Sequence, residues 1–163
     1  MHAHAYFHSP IGFLELTSDG ETLLAVRFVD APRAAHAPDA VLREAIRQLT
    51  GYFSGELIRF DLPIRLQGTP FQLSVWRQLL KIPFGQVRTY REIAQALGNR
   101  KAVRAVGGAN ARNPIAIIAP CHRVIASDGT LGGYAGGLWR KAWLLQHEGV
   151  LSMKPKPKYD KLF

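Results

Sequence analysis

Short runs of apolar, β-branched and aromatic residues alternate with polar turn residues along the first part of the chain. Three such runs span residues 5–9, 12–17 and 22–29, and Asp19-Gly20 separates the last two. An Asp-Gly pair between two such runs is a strong hairpin signal. The pattern therefore predicts a small antiparallel sheet at the start of the chain.

A helical period replaces this alternation between residues 38 and 54. Apolar side chains recur there at steps of three and four residues, at Leu42, Ala45, Ile46, Leu49 and Phe53. Gly55 follows as a helix stop. Sheet and helix together predict an N-terminal α/β domain over residues 1–66.

Two capping boxes mark helix starts in the second half of the chain. Thr69 is followed by Pro70 and then Gln72, and Thr89 is followed three residues later by Glu92. A Thr with Glu or Gln three residues on satisfies the first unpaired N–H groups of a helix. We therefore expect helices to begin after Thr69 and after Thr89.

A third helix is expected after a short turn. Asn99 can cap a helix that begins near Arg100 or Lys101, and two short helices joined in this way have helix-turn-helix spacing. A further helix is predicted over residues 138–147. The second half thus predicts a mainly α C-terminal domain with a winged helix-turn-helix over residues 67–150, followed by a basic, mobile tail over 151–163.

Charge is distributed unevenly along the 163 residues, whose formal net charge is +9. Residues 1–62 hold five Arg against eight acidic residues, whereas residues 63–163 hold sixteen Lys and Arg against four. Such an excess of cations suits a polyanion, most often nucleic acid. Because 47% of the residues are apolar and 20% are charged, a packed core is expected and wholesale disorder is excluded.

Several classes of protein are disfavoured by what the sequence lacks. It has no apolar run near the roughly 18 residues of a membrane span, and no signal-peptide pattern. Its one cysteine, Cys121, cannot form an internal disulfide or a multi-thiolate zinc site. We expect a cytoplasmic protein with no membrane partner and no metal, in which His2, His4 and His8 form a solvated strand face.

Gly107 and Gly108 interrupt the predicted third helix. Each costs roughly 1 kcal/mol relative to Ala in a helix interior. One interpretation is close helix packing or a helix end. The other is that small side chains bring the backbone near a minor groove while Arg104 enters it.

Cys121 is the strongest candidate for covalent chemistry. It follows the apolar run 115–119, which predicts a short buried strand ending at Pro120, and it precedes His122 and Arg123. Adjacent positive charge lowers the pKa of a thiol and favours the nucleophilic thiolate. A lone cysteine is also often a small buried hydrophobe, so that alternative stays open.

His122 needs two partners if it is to act as a base toward Cys121. Consecutive side chains point apart, so a water would have to link the imidazole to the thiol. An acid would have to orient the far ring nitrogen. Glu148 is the candidate, because the dipole at the end of its helix disfavours a carboxylate that has no other partner. A solvated Glu at a helix end is the alternative.

Four segments together resemble a known family. They are RAVGGA at 104–109, PCHRVI at 120–125, GGYAGG at 132–137 and WLLQHEG at 143–149. In order and spacing they are similar to the O6-alkylguanine-DNA alkyltransferases, also called methylated-DNA–protein-cysteine methyltransferases. The similarity is strong over residues 71–149 and weaker over residues 1–66.

The resemblance implies a catalytic set. Cys121 matches the alkyl acceptor, His122 the water-linked base, and Glu148 the carboxylate that orients the imidazole. Asn113 matches a hinge asparagine that holds the turn before the active-site strand. Tyr90 matches a tyrosine placed to donate a proton to the leaving base.

The resemblance also implies a DNA interface and a base pocket. Arg104 matches the arginine that takes the place of the extruded nucleotide. The implied DNA contacts are Arg104, Ala105, Gly107, Ala109, Arg112 and Arg123, and the implied pocket residues are Tyr90, Val124, Ser127 and Tyr134.

The implied activity is direct-reversal DNA repair by a monomer without a cofactor. An alkyl group would pass irreversibly from O6-alkylguanine, and also from O4-alkylthymine, in double-stranded DNA to Cys121. The protein would bind the minor groove, flip the base and react once. The alternatives are a non-catalytic alkylated-DNA-binding module, a winged-helix regulator and a cysteine hydrolase.

Overall fold

The computed structural model describes residues 2–35 and 37–150, whose backbone groups into two units. The first unit comprises the chain to Gln67 together with Pro114–Ile118. The second comprises Gly68–Asn113 and the chain from Ala119 onward. The predicted tail over residues 151–163 lies outside the described residues.

An antiparallel sheet and one helix form most of the first unit, as predicted. Strands β1 (Ala3–Ser9), β2 (Gly12–Ser18) and β3 (Leu23–Val29) pair in the order β1-β2-β3, and α1 spans Ala40–Phe53. Asp39 caps α1 by accepting a hydrogen bond from the Leu42 N–H at 2.8 Å. Leu14 and Leu16 of β2 and Leu42 and Leu49 of α1 are fully buried and form the core of this unit.

The apolar run after Asn113 is not the strand that the sequence predicts. Ile115 forms an isolated parallel bridge with Val26, and the chain then turns, with Ile117 at a positive φ of 72°. Val26 N–H donates to the Pro114 carbonyl at 2.9 Å, and Ala116 N–H donates to the Val26 carbonyl at 3.0 Å. These bonds explain why the backbone of residues 114–118 groups with the first unit. Burial of a short apolar run does not distinguish a strand from a turn.

Helices dominate the second unit. They are α2 (Pro70–Leu79), α3 (Tyr90–Ala96), α4 (Val103–Ala111) and α5 (Leu138–His147), with two short strands, β4 (Arg88–Thr89) and β5 (Val124–Ile125). Both predicted capping boxes are present, because the Thr69 and Thr89 hydroxyls accept from the backbone N–H groups of Gln72 and Glu92. Helix α5 has the bounds that the sequence predicts.

Helices α3 and α4 form the predicted helix-turn-helix, but α4 begins later than expected. Asn99 accepts from the Lys101 N–H at 3.2 Å inside the turn, and the helix starts only at Val103. Strands β4 and β5 pair in parallel over two residues each, so they do not form the antiparallel hairpin of the predicted wing. The Trp76 indole N–H donates to the Ala109 carbonyl at 2.9 Å and ties α2 to α4.

None of the helices within residues 2–35 and 37–150 is long and apolar enough to cross a bilayer.

Candidate active site

Cys121 lies in a 3₁₀ turn that spans Cys121–Arg123, directly after Pro120. Its N–H donates to the Ala119 carbonyl at 2.8 Å. Only 6% of the residue is exposed. We expected Pro120 to end a strand and present the thiol at its edge; instead, the thiol is buried in a tight turn.

His122 and Glu148 form a buried pair next to the cysteine. His122 Nε2 and Glu148 Oε2 are 2.7 Å apart, and neither side chain is exposed. Because a carboxylate accepts a hydrogen bond, Nε2 carries the proton and Nδ1 bears the lone pair. Nδ1 is buried and has no hydrogen-bond partner among the described residues. Burial lowers the pKa of His122 despite the nearby carboxylate, so the imidazole is neutral and Nδ1 is able to accept a proton.

Arg123 completes this cluster from the other side of Glu148. Its Nε and Nη2 donate to the two carboxylate oxygens at 2.7 and 3.0 Å, and Nη1 donates to the Ile82 carbonyl at 2.6 Å. Burial tends to raise the pKa of Glu148, but the hydrogen bonds from His122 and Arg123 outweigh it and hold the carboxyl well below its usual range. Arg123 is therefore a buried partner of Glu148, which corrects its predicted place among the DNA contacts.

The thiol of Cys121 is protonated in this environment. Burial raises its pKa, while the Asn113 side chain and the charge of Lys141 oppose that effect without cancelling it. The expected lowering of the thiol pKa by His122 and Arg123 is wrong, because the imidazole is neutral and the guanidinium is paired with Glu148. The thiol must therefore lose its proton before it can act as a nucleophilic thiolate.

Two asparagine amides hold the backbone of the cysteine turn. Asn113 Nδ2 donates to the Ala119 carbonyl at 2.7 Å and so joins the residues that flank the 114–118 segment. Asn110 Nδ2 donates to the Cys121 carbonyl at 3.2 Å from the last turn of α4. The backbone on both sides of the thiol is thereby fixed to the end of the helix-turn-helix.

A cavity of about 380 Å³ lies beside this turn. Its lining residues are Tyr90, Gly107, Asn110, Ala111, Gly133, Tyr134 and Ala135. The Tyr90 hydroxyl donates to the Gly133 carbonyl at 3.5 Å. Burial raises the pKa of Tyr90 and of Tyr134, and a charge on the Cys121 sulfur raises both further, so the thiol and the two phenols are electrostatically coupled.

The four predicted pocket residues separate into two groups. Tyr90 and Tyr134 line the cavity. Val124 is fully buried, and its carbonyl is bonded to Lys141, while Ser127 is exposed in the turn after β5. Neither is among the cavity's lining residues, so their predicted pocket contacts are not formed in this conformation.

Lys141 is a site residue that our sequence reasoning missed. It is fully buried on α5, and its Nζ donates to the carbonyls of Val124 at 2.6 Å and Gly133 at 2.9 Å. It therefore joins the strand after the cysteine turn to the glycine loop of the cavity. Burial lowers its pKa to about 8. The signal in the sequence was a lysine within the apolar stripe Leu138, Ala142, Leu145 of α5.

Comparison with known proteins covers both halves of the chain. Residues 70–150 match the family described as 6-O-methylguanine DNA methyltransferase, DNA binding domain, and residues 3–66 match its ribonuclease-like domain. A methylated-DNA–protein-cysteine methyltransferase of Methanosarcina acetivorans is 52% identical over 152 residues, which cover 90% of this chain and 97% of that protein. The chain belongs to the methylated-DNA–protein-cysteine methyltransferase family. This confirms the predicted family.

Relatives from Mycobacterium tuberculosis are similar to this chain in both sequence and structure. A methylated-DNA–protein-cysteine methyltransferase of Mycobacterium tuberculosis is 49% identical over 145 residues, which cover 86% of this chain and 88% of that protein. The crystal structure of Mycobacterium tuberculosis O6-methylguanine methyltransferase has a TM-score of 0.84 to this chain at 42% identity, over 95% of this chain and 97% of that one. A structure of Mycobacterium tuberculosis OGT in complex with DNA has a TM-score of 0.82 at 46% identity, over 89% and 91% of the two chains.

Helix α4, in the part that matches the family's DNA-binding domain, has an exposed face of small residues with cations at intervals. Arg104, Ala105 and Arg112 are exposed, and Arg112 Nη1 donates to the Gly108 carbonyl at 3.3 Å. Within the described part of the chain, no hydrogen bond or ion pair engages the Arg104 guanidinium. Arg104 is thus available to a ligand on this face.

Two other predicted DNA contacts of α4 face elsewhere. Ala109 is 4% exposed, and its carbonyl is bonded to Trp76, so it packs α4 against α2; its prediction as a DNA contact is corrected. Gly107 is half-buried and lines the cavity. An added Cβ at this position would meet no atom within 4 Å, so the space beside Gly107 is open.

Proposed function

We propose that this family member repairs DNA by moving an alkyl group from O6 of guanine to the sulfur of Cys121. The observation that carries the proposal is the buried series Cys121, His122, Glu148, in a family named for a protein cysteine that accepts a methyl group from DNA. Cys121 is the one cysteine of the sequence. No other thiol is present to serve as the acceptor.

The reaction is a substitution at the alkyl carbon. The bond from carbon to guanine O6 breaks as the bond from carbon to Cys121 Sγ forms. The thiol proton passes through a water to His122 Nδ1, where the imidazolium is stabilised by Glu148. Tyr90 donates a proton to the departing guanine, and the resulting phenolate regains a proton, by way of solvent, from the His122 imidazolium. The net products are then neutral guanine and a neutral thioether, with His122 and Tyr90 restored.

The product explains why the reaction occurs once. The alkyl carbon of the thioether carries no leaving group better than the Cys121 thiolate. The neighbouring imidazole cannot displace that thiolate. The protein is therefore consumed in stoichiometric amount by the lesion that it repairs. O4-alkylthymine presents the same kind of alkyl–oxygen bond and is proposed as a second substrate.

The DNA is double-stranded and is approached from the minor groove. The small residues on the exposed face of α4 permit close contact with the backbone, and Arg104 fills the stack that the flipped nucleotide leaves. Lys and Arg elsewhere in the basic second half contact phosphates. Asn113 acts as the hinge amide of the cysteine turn.

All residues of this site come from one chain, so we propose that a monomer acts on DNA. The reaction consumes a reduced thiol, and we accordingly propose a reducing, cytoplasmic location. For the domain boundaries we propose residues 1–66 and 67–150, in keeping with the extents of the two family matches.

The test is mass spectrometry of the intact protein and its peptides after incubation with duplex DNA that contains O6-methylguanine. We expect a gain of one methyl group on the peptide that contains Cys121, with at most one transfer per protein. Cys121→Ala should transfer nothing while still binding the duplex. Repeated turnover, a methyl group on another residue, or activity in Cys121→Ala would overturn the proposal.

A further inference from the structure

Asn110 links the cysteine turn to the cavity. It lies near the end of α4, is 3% exposed, and lines the cavity together with Tyr90 and Tyr134. Its Nδ2 donates to the Cys121 carbonyl at 3.2 Å. A single amide group thus contacts the residue proposed to accept the alkyl group and borders the cavity lined by Tyr90 and Tyr134, two of the residues expected to form the base pocket.

The orientation of this amide follows from its contact with Cys121. A backbone carbonyl only accepts hydrogen bonds, so the NH₂ of Asn110 must face it and Oδ1 must point away from it. Oδ1 is buried, and no group of the described residues forms a hydrogen bond with it. Tyr90 borders the same cavity, and a hydrogen bond from the Asn110 side chain acts to lower the pKa of its phenol. A buried acceptor that lacks a donor is rare in folded proteins and is accounted for when a ligand supplies one.

The chemistry of the alkylated base indicates which donor could reach Oδ1. Alkylation at O6 removes the proton from N1 of guanine, and the exocyclic 2-amino group is then the one N–H donor left on the six-membered ring. O4-alkylthymine has lost its N3 proton in the same way and has no amino group. An acceptor in the pocket therefore discriminates between the two lesions.

We propose that Asn110 Oδ1 accepts a hydrogen bond from the 2-amino group of O6-alkylguanine, which makes Asn110 a specificity-determining residue for the purine lesion. This inference rests on the proposed function. Through Nδ2 the same side chain fixes the Cys121 carbonyl, so recognition of the base and placement of the cysteine turn are coupled. A buried site that lacks its matching donor discriminates strongly against the deficient base.

The experiment compares two duplexes, one with O6-methylguanine and one with O6-methylhypoxanthine, which differ only in the 2-amino group. Single-turnover methylation of Cys121 is measured for the wild type and for Asn110→Leu, which has similar volume but no acceptor. We expect the wild type to react roughly tenfold faster with the guanine lesion. In Asn110→Leu the preference should fall toward unity, mainly through loss of rate on guanine.

One variant serves as a control, and the results that would contradict the role of Asn110 differ from those that would contradict the proposed function. Asn99→Leu changes the same residue type in the turn before α4, away from the cavity, and should keep the wild-type preference. If Asn110→Leu unfolds, as judged by thermal denaturation, Asn110→Ala replaces it. Equal reaction of the wild type with both lesions, or an unchanged preference in the variant, overturns the role of Asn110. Absence of reaction with either lesion in the wild type contradicts the proposed function instead.

Discussion

Two charged side chains of α5, Glu148 at its C-cap and Lys141 about two turns before it, are both buried but differ in how their charge is compensated. Glu148 receives hydrogen bonds from His122 and from two nitrogens of Arg123. Lys141 bonds to two backbone carbonyls and, within residues 2–35 and 37–150, forms no ion pair. Glu148 therefore stays ionised over the physiological range, whereas Lys141 titrates near it.

The contrast assigns different tasks to the two ends of the site. The Glu148 side is fully hydrogen-bonded and sets the tautomer of His122, so it prepares a base. The Lys141 side joins Val124 to the glycine loop and leaves one cation near the thiol, so it shapes the cavity and favours the developing thiolate. Removal of charge at the two ends should accordingly have different consequences.

Glu148→Gln should produce the largest effect. The variant keeps the shape of the side chain but loses the charge that stabilises imidazolium, so methyl transfer should slow roughly 100-fold or more. The Arg123 guanidinium would be left buried without its counter-ion, which costs about 3 kcal/mol of folding stability. Single-turnover kinetics and urea denaturation measure the two quantities.

The matched control for this variant is Glu92→Gln. Glu92 is an exposed capping-box residue of α3, and Gln also serves in that position. It should leave both rate and stability nearly unchanged. Equal transfer rates in Glu148→Gln and the wild type would rule out the proposed relay.

Lys141→Met should have a smaller effect with a distinctive pH dependence. Loss of the cation should slow transfer roughly tenfold below pH 8, because a positive charge near the sulfur favours the developing thiolate through a Coulombic interaction. In the wild type the ammonium loses its proton as the pH rises through about 8, so its support of the thiolate should fade above that value. The rates of the two proteins should converge at high pH, as single-turnover rates between pH 6 and pH 10 would reveal.

The same lysine makes a prediction for stability. Its folded-state pKa of about 8 lies below the 10.5 of an exposed lysine, so the unfolded chain binds more protons between these values. The contribution of Lys141 to stability is therefore complete above 10.5 and declines by about 3 kcal/mol as the pH falls toward 8. The pH dependence of folding stability is compared between the wild type and Lys141→Met. If the wild type shows no additional loss of stability between pH 10.5 and pH 8, the burial of the ammonium is contradicted.

Gly132→Ala should have the smallest effect and should act on the cavity side alone. Gly132 has a φ of +73°, and an added Cβ would lie 2.8 Å from the ring and hydroxyl of Tyr90. Displacement of Tyr90 should slow transfer several-fold without changing the pH dependence of the rate. Gly55→Ala is the control, because Gly55 has a similar φ of +84° but no atom within 4 Å. It should cost about 1–2 kcal/mol of stability and leave the transfer rate intact.

The elements that the sequence predicted well are those with local causes. The capping boxes at Thr69 and Thr89 depend on residues three positions apart, and the hairpin at Asp19-Gly20 depends on one turn. The pairing of His122 with Glu148 was also anticipated, since a carboxylate at a helix C-terminus needs a compensating partner.

What the sequence did not predict depends on partners distant in the chain. The charge of Arg123 is neutralised by a residue 25 positions later, so its adjacency to Cys121 gave a wrong expectation for the thiol pKa. Burial of Lys141 depends on carbonyls from two other segments. Residues 115–119 are as apolar as a buried strand, yet one bridge to Val26 and a turn account for them.

The proposed chemistry depends most on the Cys121 thiol being protonated before the reaction. A pH titration of thiolate absorbance tests this most directly. The ultraviolet absorbance of the wild type is measured against pH, and that of Cys121→Ser is subtracted to remove the tyrosines. A buried thiol beside a neutral imidazole predicts no thiolate at pH 7 and an apparent pKa above that of an ordinary cysteine. A thiolate already formed at pH 7 would contradict the account.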